Sequence, residues 1–289
     1  MDNRSEIREF LTSRRARITP QEAGLPVFGG TNRRVAGLRR EEVAMLAGVS
    51  IDYYTRLERG ALGGVSEGVL DALADALRVD DAERAHLFDL ARNAGRSIGR
   101  TRRRATQHQV RPTVLRVVES MTAPAFVRNS RTDILAANDL GRALYAPLFE
   151  DPRRPVNTAR FTFLNPKARD FFGEWERSAR DIVSTLRAEA GRNPYDRALT
   201  DLVGELCTRS DEFRTWWAAH DVRRHRAGTK HVRHPIVGDL HLAYELMELP
   251  ADEGLSVVTY SAERGSASQD ALDLLASWSA TATAPNPAR

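Results

Sequence analysis

At 289 residues, the chain is long enough for two domains with separate cores. Its 42% hydrophobic and 28% charged residues are ordinary globular values. No run approaches 18 apolar residues and the start MDNRSEIREF is charged, so neither a membrane span nor a signal peptide is expected. A net charge of +4 favours an anionic partner, and the single Cys207 excludes an internal disulfide, so a cytoplasmic protein is expected. Nearly all the positive charge is Arg, since lysine occurs only at Lys167 and Lys230; arginine suits bidentate contacts to phosphate and guanine.

In chain order, residues 5–18 carry Ile7, Phe10 and Leu11 among arginines, the pattern of an amphipathic helix that Pro20 halts. The connection 21–37 is long for a compact domain. It bears Arg33 and Arg34, either as a DNA-contacting loop or as plain surface. The organising stretch is 38–60, LRREEVAMLAGVSIDYYTRLERG. Val43, Leu46 and Ala47 form the apolar stripe of a short helix over 39–47. Gly48 can take the positive φ of a tight turn, and Ser50 is a good N-cap for a second helix over 51–58. There Tyr54 and Leu57 point inward, and Ile51, Asp52, Tyr53, Thr55 and Arg56 cover the outer arc. Two short helices around a glycine turn describe a helix-turn-helix. Ser66 then caps a helix to Leu77, with Val69, Leu70 and Leu73 on one face, and Asp80 caps another over 81–93. This makes an all-α five-helix domain over 1–93.

Residues 94–110, with Arg96, Arg100, Arg102, Arg103 and Arg104, read as a basic linker that either tracks phosphates or is simply solvated. From residue 111 the texture changes. A helix over 112–121 precedes two short β-like runs, 124–129 and 132–138, around a polar turn. Asn138 can cap a following helix. A helical middle (166–172, 174–190, 194–208, 210–220) leads to β-like runs over 221–226, 229–234, 240–249 and 255–262. A closing helix spans 271–279. Two early strands, a helical insert and then three or more antiparallel strands suggest an α+β domain with one mixed sheet over 111–280, similar in order to a PAS-like sensor, and a tail over 281–289.

Arg56 can fork onto guanine, Ile51 and Thr55 can meet thymine methyls, Asp52 can accept from cytosine or serve the helix dipole, and Tyr53 can touch base edge or backbone. Arg39 and Arg40 open the preceding helix, where phosphates lie, and Ser50 stands at the turn. Glu58 is read as an internal pin. In the later domain the candidate ligand contacts are Phe126, Asn138, Arg160, Phe163, Trp175, Trp217, His220 and His234. The aromatic members serve either as lining or as core, and Arg160 needs a carboxylate from the protein or from a ligand. His231 and His234 should face opposite sides of a strand, and no metal-ligand spacing, nucleophile elbow or P-loop is present. No catalytic residue, metal or cofactor is expected.

The phrase REEVAMLAGVSIDYYTRLERG resembles the core of the repressor-type (Xre) helix-turn-helix family, with Ala47, Gly48, Leu57, Glu58, Arg59 and Gly60 in register. Arg40 stands where that family commonly has glutamine. The phrases PAFVRN, ILAAN, NTARFTFLNP, FFGEWERSARDIVSTLRAEAGRNP, LTDLVGELCTRSDEFRTWWAAHDV and VRHPIVGDLHLAYELMELP look like the C-terminal half of the MmyB-like regulators of actinobacteria. The likeness runs from Phe10 to Trp278. It implies a helix-turn-helix followed by a PAS-like ligand-binding domain, and at most a fatty-acid-like or other small hydrophobic effector. The expected molecule is a homodimeric transcription regulator on a palindromic double-stranded operator. The alternative is a C-terminal domain that is a ligand-free dimerisation or protein-interaction module.

Overall fold

The computed structural model describes residues 3–25, 35–95, 109–219 and 227–283. The chain divides into two compact units. One comprises Met1–Ala105 with Arg187–Val203 and Thr215–Arg224; the other comprises Thr106–Leu186 with Gly204–Arg214 and His225–Arg289.

The first unit holds α1 (Asn3–Arg17), α2 (Arg40–Leu46), α3 (Ile51–Glu58), α4 (Glu67–Ala76) and α5 (Asp81–Ala94). Ser50 Oγ accepts from Tyr53 N at 3.1 Å, Ser66 Oγ from Val69 N at 3.4 Å, and Asp80 Oδ1 from Glu83 N at 2.9 Å. Each cap satisfies an amide that the first helical turn leaves without a partner. Ile7, Phe10, Leu11, Leu38, Val43, Tyr54, Leu57, Leu73 and Leu87 form the core. One expectation fails on α2: Leu46 is 36% exposed, while Ala44 is buried at 1%. The buried stripe is Val43, Ala44 and Ala47, the face that joins the core formed with Leu38, Tyr54 and Leu57. Gly48 has φ 65°, as the turn requires.

The second unit begins with α6 (Pro112–Ser120) and the hairpin β1 (Ala125–Asn129) and β2 (Asp133–Ala137). There follow α7 (Asp139–Leu144), α8 (Ala146–Phe149), β3 (Val156–Asn157), α9 (Thr158–Leu164) and α10 (Lys167–Phe171). Next come α11 (Trp175–Arg192), α12 (Arg197–Arg209) and α13 (Asp211–Ala218), then β4 (Ala227–His234), β5 (Gly238–Glu248), β6 (Leu255–Ser261) and α14 (Ala267–Thr283). The six strands form one sheet in the order β3-β2-β1-β6-β5-β4. Every neighbouring pair is antiparallel, so the expected mixed sheet is corrected. Short turns join β1 to β2, β4 to β5 and β5 to β6, and hairpins of that kind impose opposed directions.

Strand alternation separates the faces. Ala125, Val127, Leu255 and Val257 turn to α6 with Val114 and Val118. Phe126, Val258, Tyr260, Leu242 and Val232 turn the other way, into the main core with Tyr145, Phe161, Phe171 and Phe172. A β-bulge interrupts the β1–β2 register between Val127 and Arg128; Arg128 pairs with Ile134 and Leu135 is left over.

The residues 187–203, read from sequence as part of one continuous domain over 111–280, count with the first unit. Ala188 enters its core. Arg187 places Nη1 at 2.7 and 2.8 Å from the Glu6 carboxylate oxygens, and Asn93 Nδ2 donates to Gly191 O at 2.7 Å. Gly191 is required there, since a Cβ would lie 2.3 Å from the His86 ring.

Candidate functional site

The outer surface of α3 is built from the inside. Tyr54, Leu57 and Glu58 are buried, which turns Ile51, Asp52 and Arg56 to solvent, with Tyr53 and Thr55 half-exposed between them. Ile51 is 52% exposed, an apolar side chain that the fold itself leaves uncovered. The Arg56 guanidinium lies over the Tyr53 ring at 4.9 Å from its centre, so stacking narrows its orientations before any contact. Ser50 Oγ spends a lone pair on the cap and keeps its proton to donate. Asp52 lies in the first helical turn, where the dipole favours a carboxylate.

Glu58 is the internal pin anticipated. It is 2% exposed, accepts from Arg15 Nε at 2.7 Å and is bonded by Arg40 Nε. Arg15 also donates to Leu38 O at 2.8 Å. One carboxylate thereby ties α1, α2 and α3 together. Arg40, although half-exposed, is committed to Glu58. Arg39 remains at the surface beside Glu41 at 3.2 Å, and its backbone N–H is capped by Glu42 at 2.6 Å. Arg33 and Arg34 lie outside the described residues.

The interior of the second unit is aromatic with a polar floor. Tyr145 and Tyr260 share a hydroxyl–hydroxyl hydrogen bond of 2.7 Å, and Phe126 meets both rings, at 5.5 and 6.0 Å. On the same sheet face the bulged strand β1 contributes Arg128 and β4 contributes Lys230. Lys230 Nζ stands 5.1 Å from the Phe172 ring centre and 5.9 Å from that of Tyr244. Both side chains are half-buried. Burial lowers the pKa of Arg128, and it lowers that of Lys230 to about 8, with nearby Asp181 opposing the fall. Burial also pushes the Tyr260 hydroxyl up to about 12 and raises the Tyr145 hydroxyl well above its ordinary value. A separate open groove of about 370 Å³, lined by Phe149, Arg142 and Trp278, lies at α7, α8 and α14 and includes neither cation.

Comparison with known families decides what these parts belong to. Residues 5–87 match a helix-turn-helix domain, and residues 110–275 match the MmyB-like transcription regulator ligand-binding domain. The chain belongs to the MmyB-like transcription regulators. No curated relative matches this regulator. It is a DNA-binding transcription regulator, and both matched families are regulator modules rather than enzymes. Among the described residues no helix is long and apolar enough to cross a membrane.

Within this MmyB-like regulator the expected ligand contacts do not converge. Asn138 is fully used by the fold. Its Oδ1 accepts from Ala125 N at 3.0 Å and Gly141 N at 2.8 Å, and its Nδ2 donates to Met121 O and Ala123 O at 3.0 and 2.8 Å. His234 is likewise structural: Nε2 faces Ala143 O at 2.9 Å and Nδ1 accepts from Ile236 N at 3.2 Å, so the neutral ring ties β4 to α7. Arg160 finds a protein carboxylate, with Nε 2.7 Å from Glu205 Oε2, while Arg153 Nη1 donates to the other oxygen, Oε1, at 3.0 Å.

Phe163 stacks edge-on with Trp175 and Phe213, at 6.1 and 5.0 Å, away from Phe126. Trp175 Nε1 donates to Thr162 O at 2.9 Å. Trp217 belongs to the first unit, where its ring lies under Arg187 at 3.7 Å. His220 lies outside the described residues. Phe126 packs against Tyr145 and Tyr260 in the aromatic core. Sequence reasoning passed over Arg128 and Lys230. The signal was there in their spacing: Arg128 is two residues from Phe126, and Lys230 two from Val232. As expected, His231 faces away from His234 and stacks on His241 across the β4–β5 ladder at 4.2 Å.

Proposed function

We propose that this regulator binds a palindromic double-stranded operator as a homodimer in the cytoplasm. A small hydrophobic or carboxylate-bearing effector in the C-terminal domain controls that binding. The observation that supports ligand control is the match of residues 110–275 to the MmyB-like ligand-binding domain, whose sheet carries the half-buried cations Arg128 and Lys230 on its aromatic core face. Reading of DNA rests on α3, whose outward Ile51, Asp52, Tyr53, Thr55 and Arg56 suit base edges, with Arg39 and Ser50 beside them for phosphates. Arg33, Arg34 and Arg40 add charge to the same end of the chain. One such module reaches few base pairs, and two related by a two-fold axis supply the discrimination that a genome demands. Effector binding acts by population shift, favouring one dimer arrangement and thereby one separation of the α3 helices.

The test is binding of the purified protein to genomic fragments, including its own upstream region, over a series of salt concentrations. The expected result is a selective site with a palindromic footprint. Weak binding that vanishes steeply with salt would mean a basic surface with no reader. Denaturing extraction and mass spectrometry of the same preparation test the effector, and an empty extract with no response to added amphiphiles would favour a protein-interaction module.

A further inference from the structure

The segment 187–192 lies inside the stretch matched to the ligand-binding family, yet it is built into the first unit. Arg187 is 1% exposed, and its Nη1 donates to both oxygens of Glu6 on α1, at 2.7 and 2.8 Å. Its Nη2 donates to Trp217 O, and its guanidinium carbon lies 3.7 Å from the centre of the Trp217 ring. Beside it Ala188 joins the apolar core of the unit. Asn93 of α5 donates to Gly191 O and Arg192 O at 2.7 and 3.0 Å, satisfying carbonyls that the end of α11 leaves open.

A buried ion pair is a poor source of stability, since apolar residues of like volume often serve as well, but a two-pronged contact between arginine and carboxylate fixes direction. Here it fixes the near end of α1, and α1 is what α3 rests on. Nine residues further along that helix, about 14 Å at a rise of about 1.5 Å per residue, Arg15 holds Glu58 of α3 at 2.7 Å. Arg14, at the same far end, pairs with Glu83 of α5 at 2.9 Å. Near Glu6, the chain leaving α3 lies directly on α1: Gly60 has φ 98°, and a Cβ there would stand 2.8 Å from Arg4 O. The helix α3 is thus attached to α1 on both sides of Glu6, and a tilt of α1 carries the outward face of α3 with it.

We propose that Arg187 is a positioning residue for DNA reading: through Glu6 it sets the tilt of α1, and through α1 the presentation of Ile51, Tyr53, Thr55 and Arg56 to base edges. This rests on α3 as the reader. It makes a residue outside the helix-turn-helix match at 5–87, itself touching no DNA, a determinant of operator discrimination. The planar fork is essential to the role, because an ammonium supplies a point charge and no plane to lie along the Trp217 ring.

The experiment uses the full chain, an operator recovered by the fragment selection above and a scrambled duplex of the same length, with anisotropy read at a temperature well below each variant's melting point. The readout is the ratio of operator to scrambled affinity. Loss of folded protein lowers both affinities alike and leaves the ratio unchanged, whereas a misaimed α3 lowers the ratio. The double variant Glu6→Leu with Arg187→Met removes both charges together, so neither is left buried alone. Its ratio should fall about tenfold, within the range of one bidentate base contact. Arg187→Lys keeps the charge without the fork and should lose discrimination in the same direction, and it carries the test if the double variant does not fold. Arg56→Ala is the control for α3. Parental discrimination in the double variant or in Arg187→Lys, with Arg56→Ala impaired, overturns the positioning role and leaves α3 as the reader. Parental discrimination in Arg56→Ala as well removes α3 as the reader and this role with it, as does a parent that shows no discrimination.

Discussion

Arg56 carries the residue-scale case for DNA reading because its role separates from folding. It is exposed, it stacks on Tyr53, and no core contact depends on it. Arg56→Ala should cost about 1–3 kcal/mol of discrimination between operator and scrambled sequence. It should change unfolding free energy by less than about 0.5 kcal/mol, as measured by fluorescence anisotropy and urea titration; unchanged operator affinity would remove α3 as the reader. His234 is the opposite kind of residue. Burial lowers its pKa below 6.5, and the hydrogen bond to Ala143 only partly offsets this. The folded state therefore disfavours the protonated ring. Its contribution is fully present above about pH 6.5 and is lost as pH falls through the lowered folded value. Protonation also removes the acceptor that Ile236 N uses. Urea midpoints between about pH 5 and 8 should fall on acidification, with a smaller slope in His234→Gln; an identical slope in both would assign the loss to other groups.

Among the elements, the three helices around Glu58 show how little polar material fixes a helix-turn-helix. Apolar residues fill the core, but the crossing of α1, α2 and α3 is set by one carboxylate between Arg15 and Arg40. Glu58→Gln keeps the shape and leaves the mostly buried Arg15 without its counter-charge. A loss of about 3 kcal/mol in unfolding free energy is expected, and a change below about 1 kcal/mol would show that apolar packing alone holds the crossing. The caps and turns of this unit were legible because Ser50, Ser66, Asp80 and Gly48 act within their own neighbourhood of the chain. Longer-range matters were not. Leu46 and Ala44 both fit a helical stripe, and only the approach of other helices chose between them. The helix α9 lies in the phrase TARFTFL, whose alternation reads equally as strand.

For the whole molecule the prediction is assembly. A single α3 reads only a few base pairs, so operator affinity should rise with protein concentration as a dimer forms. The footprint should show two half-sites about one helical turn apart. Sedimentation giving only monomer on and off the operator would refute it. The order of parts along the chain, the outward surface of α3 and the regulator family follow from sequence by itself, because each is written in local spacing or in long specific phrases. Tertiary structure alone decided where the polar groups of the second unit were spent. Asn138, Arg160 and His234, which looked available, are consumed by backbone and carboxylate partners distant in sequence. Arg128 and Lys230 lie half-buried on the aromatic core face of the same sheet, Lys230 over the Phe172 ring. Burial and pairing are properties of residues brought together from afar, and no periodicity within one strand encodes them.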